Sequence, residues 1–163
     1  EYNYVWQIYR FRYNEMIGEN MTDNILSKEL CFQLYIASKE IIKKYNFYLN
    51  RYSLTYTGFI AMLAIENKMT INKLGEELSL DSGTLSPLLK RLEAKGYIVR
   101  KRSDKDERSV ELFLTDKGAQ VKKELPSISL EIGDSLVSCN ENINYDLLLS
   151  QLLTLNKSLK TEI

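Results

Sequence analysis

Histidine is absent from all 163 residues of the chain. Ser/His/Asp and Cys/His nucleophile machinery and zinc or iron sites built on imidazole are therefore excluded, because each needs that ring as base or ligand. Cysteine is scarce as well. Cys31 and Cys139 lie far apart with no Cys-x-x-Cys spacing, which fits neither a metal knuckle nor a disulfide-dense secreted scaffold and suits free thiols in a reducing cytoplasm. Only 2 Pro and 7 Gly occur, and the 22 basic residues balance 22 acidic ones to a formal net charge of zero. Disorder by charge excess is out, and any nucleic-acid surface has to come from local segregation of charge. The longest uncharged stretch, residues 52–65, contains Ser, Thr and Gly. It falls short of the roughly 20 apolar residues that span a bilayer, so no membrane association is expected.

What is present, 44% hydrophobic and 27% charged residues, is the profile of one folded, helix-leaning domain. The first twenty residues differ from the rest. Tyr2, Tyr4 and Trp6, then Tyr9, Phe11 and Tyr13, recur at a two-residue period. Asn, Gln, Arg and Glu break the stretch, so no secretory signal is expected. Residues 1–20 are read either as an added or upstream extension or as a genuine N-terminal arm, and the domain proper as residues 21–163.

From Ser27, the residues Leu30, Leu34, Ile41, Tyr45, Tyr48 and Leu49 recur at helical spacing with no Gly or Pro before Gly58. That pattern predicts a long first helix. Thr55 is the expected N-cap of a second helix through Phe59, Met62, Leu63 and Ile65, and Thr70 of a short third one carrying Ile71, Leu74 and Leu78. In the next helix Leu85, Leu88, Leu89 and Leu92 sit at i, i+3, i+4 and i+7, with Gly96 as the stop. Thr84 is the expected N-cap there, which puts Pro87 in the first turn, where its missing N–H costs nothing. After Gly96 the period changes to two. Tyr97, Ile98 and Val99 lead out, a charged turn follows, and Val110, Leu112 and Leu114 alternate back as a hairpin. Thr115 can cap a fifth helix, perturbed at Pro126, and Asn144 a sixth carrying Leu148, Leu152, Leu155 and Leu159.

Two short helices joined by a tight turn, then a hairpin with a basic loop, are the parts of a winged helix-turn-helix. Residues 90–108 contain eight basic side chains (Lys90, Arg91, Lys95, Arg100, Lys101, Arg102, Lys105, Arg108) and four acidic ones (Glu93, Asp104, Asp106, Glu107), a local charge of +4 in a neutral chain. Opposite the leucines lie Ser82, Thr84, Ser86, Pro87, Lys90 and Arg91. Short polar groups come first and long cations behind, an order that suits base edges and then phosphates. Alone, such a helix reads as an ordinary solvated amphipathic helix; the adjoining basic hairpin favours DNA. At the hairpin tip Arg108 can reach a minor groove, with Asp106 bracing the guanidinium.

Cys31 falls near the start of the first helix, where the helix dipole and Lys28 favour a negatively charged sulfur. A packed, inert thiol is the competing reading. Tyr35 shares the face of Cys31. Tyr45 points nearly the same way but lies about 21 Å along the axis, so it can meet Cys31 only from a second copy packed antiparallel.

The strings LCFQLYIASKEI, LTYTGF and LDSGTLSPLLKRLEAKGYIVRKRSDKDERSVELFLTDKG resemble the MarR family, specifically its organic-hydroperoxide-resistance and staphylococcal thiol-sensing repressors. The resemblance implies a mainly α fold with a small β-hairpin wing. Residues 55–114 would form the DNA-binding winged helix-turn-helix, and helices at about 25–52 and 116–161 would join two copies. It further implies a cytoplasmic homodimer that binds double-stranded, palindromic operator DNA and leaves it when a cysteine is modified by organic hydroperoxide or a small thiol. No cofactor, metal or catalytic residue is expected. In that reading Cys31 is the sensing thiol, Tyr35 its neighbour, and Tyr45 and Tyr56 the hydroxyls from the partner subunit. Ser82, Thr84, Ser86, Pro87, Lys90 and Arg91 form the major-groove set, and Arg102, Asp106 and Arg108 the wing. Cys139 is either a resolving cysteine that pairs with Cys31 across the dimer or a bystander. Two rival readings remain: a regulator of the same fold released by a non-covalent phenolic molecule, and a thiol peroxidase, which the lack of histidine and of a resolving motif disfavours.

Overall fold

The computed structural model describes residues 29–103, 109–138 and 142–161. Residues 1–20, Asp106 and Arg108 of the expected wing, and Cys139 lie outside the described residues. Helix α1 (Leu30–Leu49) is the long first helix, free of Gly and Pro as its sequence requires. Contacts fall into two units, one ending at Lys44 and one beginning at Tyr45. In the first, α1 is mostly exposed, and Lys43 and Glu40 form an i,i+3 ion pair at 3.8 Å, worth little at such exposure.

In the second unit Leu49 is completely buried, and a 3-10 turn (Asn50–Tyr52) leads to Ser53 in the left-handed region, φ 52°. Helix α2 (Tyr56–Ala64) starts where the sequence places it, with the Thr55 hydroxyl accepting from the Gly58 amide at 3.3 Å. Helix α3 (Ile71–Leu78) is capped by Thr70, which accepts from the Lys73 amide at 3.2 Å. Helix α4 (Ser82–Ala94) presents Leu85, Leu88, Leu89 and Leu92 to the core.

The expected hairpin is part of a three-stranded antiparallel sheet in the order β1-β3-β2. Strands β2 (Ile98–Arg102) and β3 (Val110–Leu114) pair with Ile98 opposite Leu114 and Arg102 opposite Val110. The added strand β1 (Met69–Thr70) pairs with Leu112 and Glu111. Two residues are too few to show a period, but the pairing ties the N-terminus of α3 to the wing.

Helix α5 (Asp116–Ser138) begins at the Thr115 cap, whose hydroxyl accepts from the Gly118 amide at 3.0 Å. It runs unbroken past Pro126, where a perturbation was expected. Pro126 lies on the exposed face of the helix, and its ring leaves the Lys122 carbonyl without a helical partner. Val121, Leu125, Ile128 and Ile132 form its buried stripe. The Lys122 ammonium donates to the Ile65 carbonyl at 2.6 Å, satisfying the C-terminal end of α2. Tyr52 donates its hydroxyl to Glu124 Oε2 at 2.7 Å.

The core joins Leu49, Met62, Ile65, Leu74, Leu89, Leu92, Ile98, Leu112, Leu125, Ile128 and Ile132, all essentially inaccessible. Each contributes about 1.5–3 kcal/mol by burial, which makes this cluster the main stabilising element. Helix α6 (Tyr145–Thr161) is capped by Asn144, whose side-chain oxygen accepts from the Leu147 amide at 2.9 Å. Over residues 145–160 only Leu152 is even half-buried; Leu148, Leu155 and Leu159 of its apolar stripe are exposed.

Candidate nucleic-acid interface

The supports of the recognition helix follow from its first and last turns. Helix α3 ends at Ser79, left-handed at φ 53°, and the Leu80 amide donates back to the Gly75 carbonyl at 2.9 Å. Asp81 then caps α4. Its Oδ1 accepts from the Thr84 amide and its Oδ2 from the Thr84 hydroxyl, both at 2.9 Å. The N-cap is thus Asp81 and not Thr84, as the sequence reading had it. A carboxylate able to take both donors, at the positive end of the helix, displaces the hydroxyl as cap. These bonds, the Thr84 amide first, hold the Asp81 carboxyl below its ordinary range. As a consequence Pro87 is the sixth helical residue and not the third. The bond it cannot make is one to the Gly83 carbonyl, so its position is not free of cost.

At the other end Gly96 takes φ +71°, outside the reach of most side chains, and Tyr97 donates its amide to the Leu92 carbonyl at 3.0 Å. The Tyr97 hydroxyl donates to the Tyr52 carbonyl at 2.8 Å, and burial pushes its ionisation up. The Lys117 ammonium donates to the Lys95 carbonyl at 2.8 Å while lying over the Tyr97 ring. Between these anchors Ser82, Thr84, Ser86, Pro87, Lys90 and Arg91 are all exposed, on the side away from the four leucines. The hydroxyl of Thr84 is committed to Asp81, which leaves Ser82 and Ser86 as the short groups at the front of the helix and Lys90 and Arg91 as the cations behind.

The wing leaves from Tyr97. Arg102, at the end of β2, is exposed. Ser103 closes the base of the loop, its amide donating to the Ser109 carbonyl at 2.9 Å and its hydroxyl to Glu111 Oε1 at 2.7 Å. Lys101 lies over the Phe113 ring. Arg100 is turned inward: its Nε donates to Glu93 Oε2 at 2.9 Å, and its Nη2 donates to the same oxygen. The hydrogen bond from Arg100 holds the Glu93 carboxyl below the usual carboxylate range, and the guanidinium is raised in turn. In the sequence Arg100 is one of eight cations in a basic run; nothing there separates it from Lys101 or Arg102. The pair, like the Asp81 cap, depends on which residues the turns bring together.

Of the residues assigned to thiol chemistry, Cys31 is the second residue of α1, in its first turn, and is exposed. Tyr35 is 60% exposed, its ring 6.5 Å from that of Phe32. Tyr45 and Tyr56 come together, ring centroids 5.0 Å apart, and both pack against Phe59. The Tyr56 amide donates to Asn46 Oδ1 at 2.8 Å. Burial, then the neighbouring Tyr45, raises the ionisation of the Tyr56 hydroxyl above the ordinary tyrosine value. Among the described residues no group of three or more Cys, Asp or Glu is placed to hold a metal ion. No described helix is long and apolar enough to cross a membrane.

Known proteins share this architecture. The family described as transcriptional regulator SarA/Rot matches residues 42–125. Over 112 residues, 68% of this chain and 76% of the other, the sequence is 55% identical to the HTH-type transcriptional regulator SarZ of Staphylococcus aureus (strain USA300). The fold is similar to that of reduced AbfR bound to DNA, with a TM-score of 0.69 and 32% identity over 83% of this chain and 93% of that one. It is similar also to overoxidized AbfR bound to DNA, with a TM-score of 0.66 and 31% identity over 85% and 95% of the two chains. AbfR is a protein of Staphylococcus epidermidis.

Proposed function

The chain belongs to the SarA/Rot family of transcriptional regulators, DNA-binding proteins of the MarR-like winged-helix type and not enzymes, and on that footing we propose that it is a cytoplasmic, homodimeric repressor that holds a palindromic operator when Cys31 is reduced and releases it on oxidation. The observation that carries the redox half is the placement of Cys31, an exposed thiol in the first turn of a helix, where an oxidant can reach the sulfur from solvent. A relative, AbfR, has been solved on DNA in reduced and in overoxidized form, which supports a regulator of this fold that undergoes oxidation.

In the proposed step the Cys31 thiolate attacks the outer oxygen of an organic hydroperoxide. The O–O bond breaks, the alkoxide takes a proton from water and leaves as the alcohol, and the sulfur becomes sulfenic acid. A second thiol, either Cys139 of the partner subunit or a small cellular thiol, then displaces water to give a disulfide. Tyr35 flanks the sulfur, and the hydroxyls of Tyr45 and Tyr56 approach it from the partner. Repacking there alters the spacing of the two recognition helices, which must sit one DNA turn apart. Ser82, Ser86, Pro87, Lys90 and Arg91 read and hold the major groove, with Thr84 positioned through Asp81, and Arg102, Asp106 and Arg108 serve the wing. The exposed leucines of α6 support the dimer, since an apolar stripe with nothing against it in one copy is covered by a second.

The test is a gel-shift titration of wild type and Cys31→Ser with and without cumene hydroperoxide. Loss of binding by oxidised wild type alone is expected, and wild-type binding that ignores the oxidant ends the sensing claim. Because overoxidized AbfR is itself seen on DNA, mass spectra of the same samples must distinguish disulfide from sulfinic acid. One observation favours a second reading: a cleft of about 380 Å³ lined by Thr55, Thr57, Thr84, Pro87, Leu88 and Arg91, with one cation and several hydroxyls, suits a phenolic ligand. Release by such a ligand survives Cys31→Ser.

A further inference from the structure

The recognition helix and the wing are joined through one short turn. At its base the Gly96 turn, the Tyr97 amide and the buried Ile98 set where β2 starts, and pairing with β3 joins β2 to the rest of the sheet, but none of these ties the outer half of β2 to α4. Such a tie lies further out. Arg100 projects from the same side of β2 as Ile98, which is buried, and reaches back to α4, where two of its nitrogens donate to one oxygen of Glu93. Arg100 and Glu93 side chains are only 29% and 36% exposed. Glu93 continues the exposed line of Ser86 and Lys90 at i, i+4 and i+7. It is therefore a carboxylate at the rear of the surface that would face phosphate. Arg102 stands two residues beyond Arg100, about 6.6 Å further along the strand.

We propose that the Glu93–Arg100 pair is a strut that sets the angle between recognition helix and wing, so that both residues are positioning residues for DNA binding and Arg100 is not a phosphate contact. The ties at Gly96 and Ile98 and the sheet pairing fix the base of the wing, and the one at Arg100 fixes the outer half of β2 directly against α4. They hold Arg102 at a set distance from Lys90 and Arg91, so that helix and wing engage the same duplex in register. The fork geometry matters: a guanidinium offers two nitrogens to one carboxylate oxygen, which an ammonium cannot do.

The experiment measures binding of the full chain to a duplex selected by wild type from a randomised pool, and to a scrambled duplex, over a range of salt concentrations. A strut makes Glu93→Gln and Arg100→Gln change affinity in the same direction. Each is expected to weaken the selected duplex by about fivefold, with scrambled-duplex binding altered less than about twofold and the salt slope unchanged. Arg100→Lys, which keeps the charge, behaves like Arg100→Gln and decides the matter should the latter fail to fold. The reversed pair Glu93→Arg/Arg100→Glu regains most of the lost affinity. Opposite signs, with Glu93→Gln binding tighter and Arg100→Gln lowering the salt slope by about one, identify Arg100 as a phosphate contact and overturn the proposal. Wild-type affinity in both single variants overturns it as well.

Discussion

Asp81 holds Thr84 twice, one carboxylate oxygen on its amide and the other on its hydroxyl, each at 2.9 Å. This box fixes the first turn of the helix that carries Ser82, Ser86, Lys90 and Arg91, and it has a pH signature. The carboxyl is held below its ordinary range, chiefly by the Thr84 amide. A depressed carboxyl lends stability that is present in full above the unfolded value, near 4, and is lost as pH falls through the folded one. The difference in unfolding midpoint between wild type and Asp81→Ala is therefore expected to be flat from about pH 5 to 8 and to shrink only in acid. DNA affinity of Asp81→Ala at neutral pH falls about threefold to tenfold, because a frayed first turn no longer presents Ser82 and Ser86.

Gly118 permits the first turn of α5 to rest on the backbone of Tyr97; a Cβ there would fall deep inside contact distance of the Tyr97 carbonyl oxygen. The opposing atom is backbone, and Tyr97 is further held by the Thr115 amide at 3.0 Å and by its own hydroxyl on Tyr52, so little can yield. Gly118→Ala should destabilise by about 2–4 kcal/mol in urea unfolding. A loss below about 0.5 kcal/mol would show that the contact relaxes freely.

Burial, and after it Tyr45, raise the ionisation of Tyr56 above that of an exposed tyrosine. The sign is opposite to that of Asp81: this contribution is present below the unfolded value, near 10, and is lost as pH rises through the folded one. Ultraviolet titration of wild type against Tyr56→Phe should remove a tyrosine that ionises later than the exposed ones. On the proposed function Tyr56→Phe also slows oxidation of Cys31 by about tenfold while leaving DNA binding by the reduced protein unchanged.

Leu148 and Leu155 are 43% and 37% exposed on α6, and the dimer reading needs them covered. Leu148→Glu/Leu155→Glu should shift the sedimentation of the chain toward the monomer and weaken binding to palindromic DNA by about a hundredfold or more, since half-sites bound independently lose their mutual support. Unchanged sedimentation would place the dimer contact elsewhere.

Local signals were legible wherever one residue type does one job. Thr55, Thr70, Thr115 and Asn144 stand as the caps their spacing announces, and the four leucines of α4 are buried as their i, i+3, i+4, i+7 pattern requires. Where two residue types can do the same job the sequence misled: Asp81 and Thr84 are both good caps, and only geometry selects the carboxylate. Strand β1 gives no signal because two residues carry no period, and α5 continues past Pro126, which lies on its exposed face.

Composition and periodicity, then, were enough for the helical class, the helix-turn-helix, the wing and its basic charge, because hydrophobic burial repeats with the period of the element that buries it. That Arg100, among the described cations of the basic run, is spent on a carboxylate was decided by the fold alone. Arg100 meets Glu93 because the Gly96 turn folds β2 back along α4, and attraction between two charges seven residues apart depends on a distance that no linear pattern encodes.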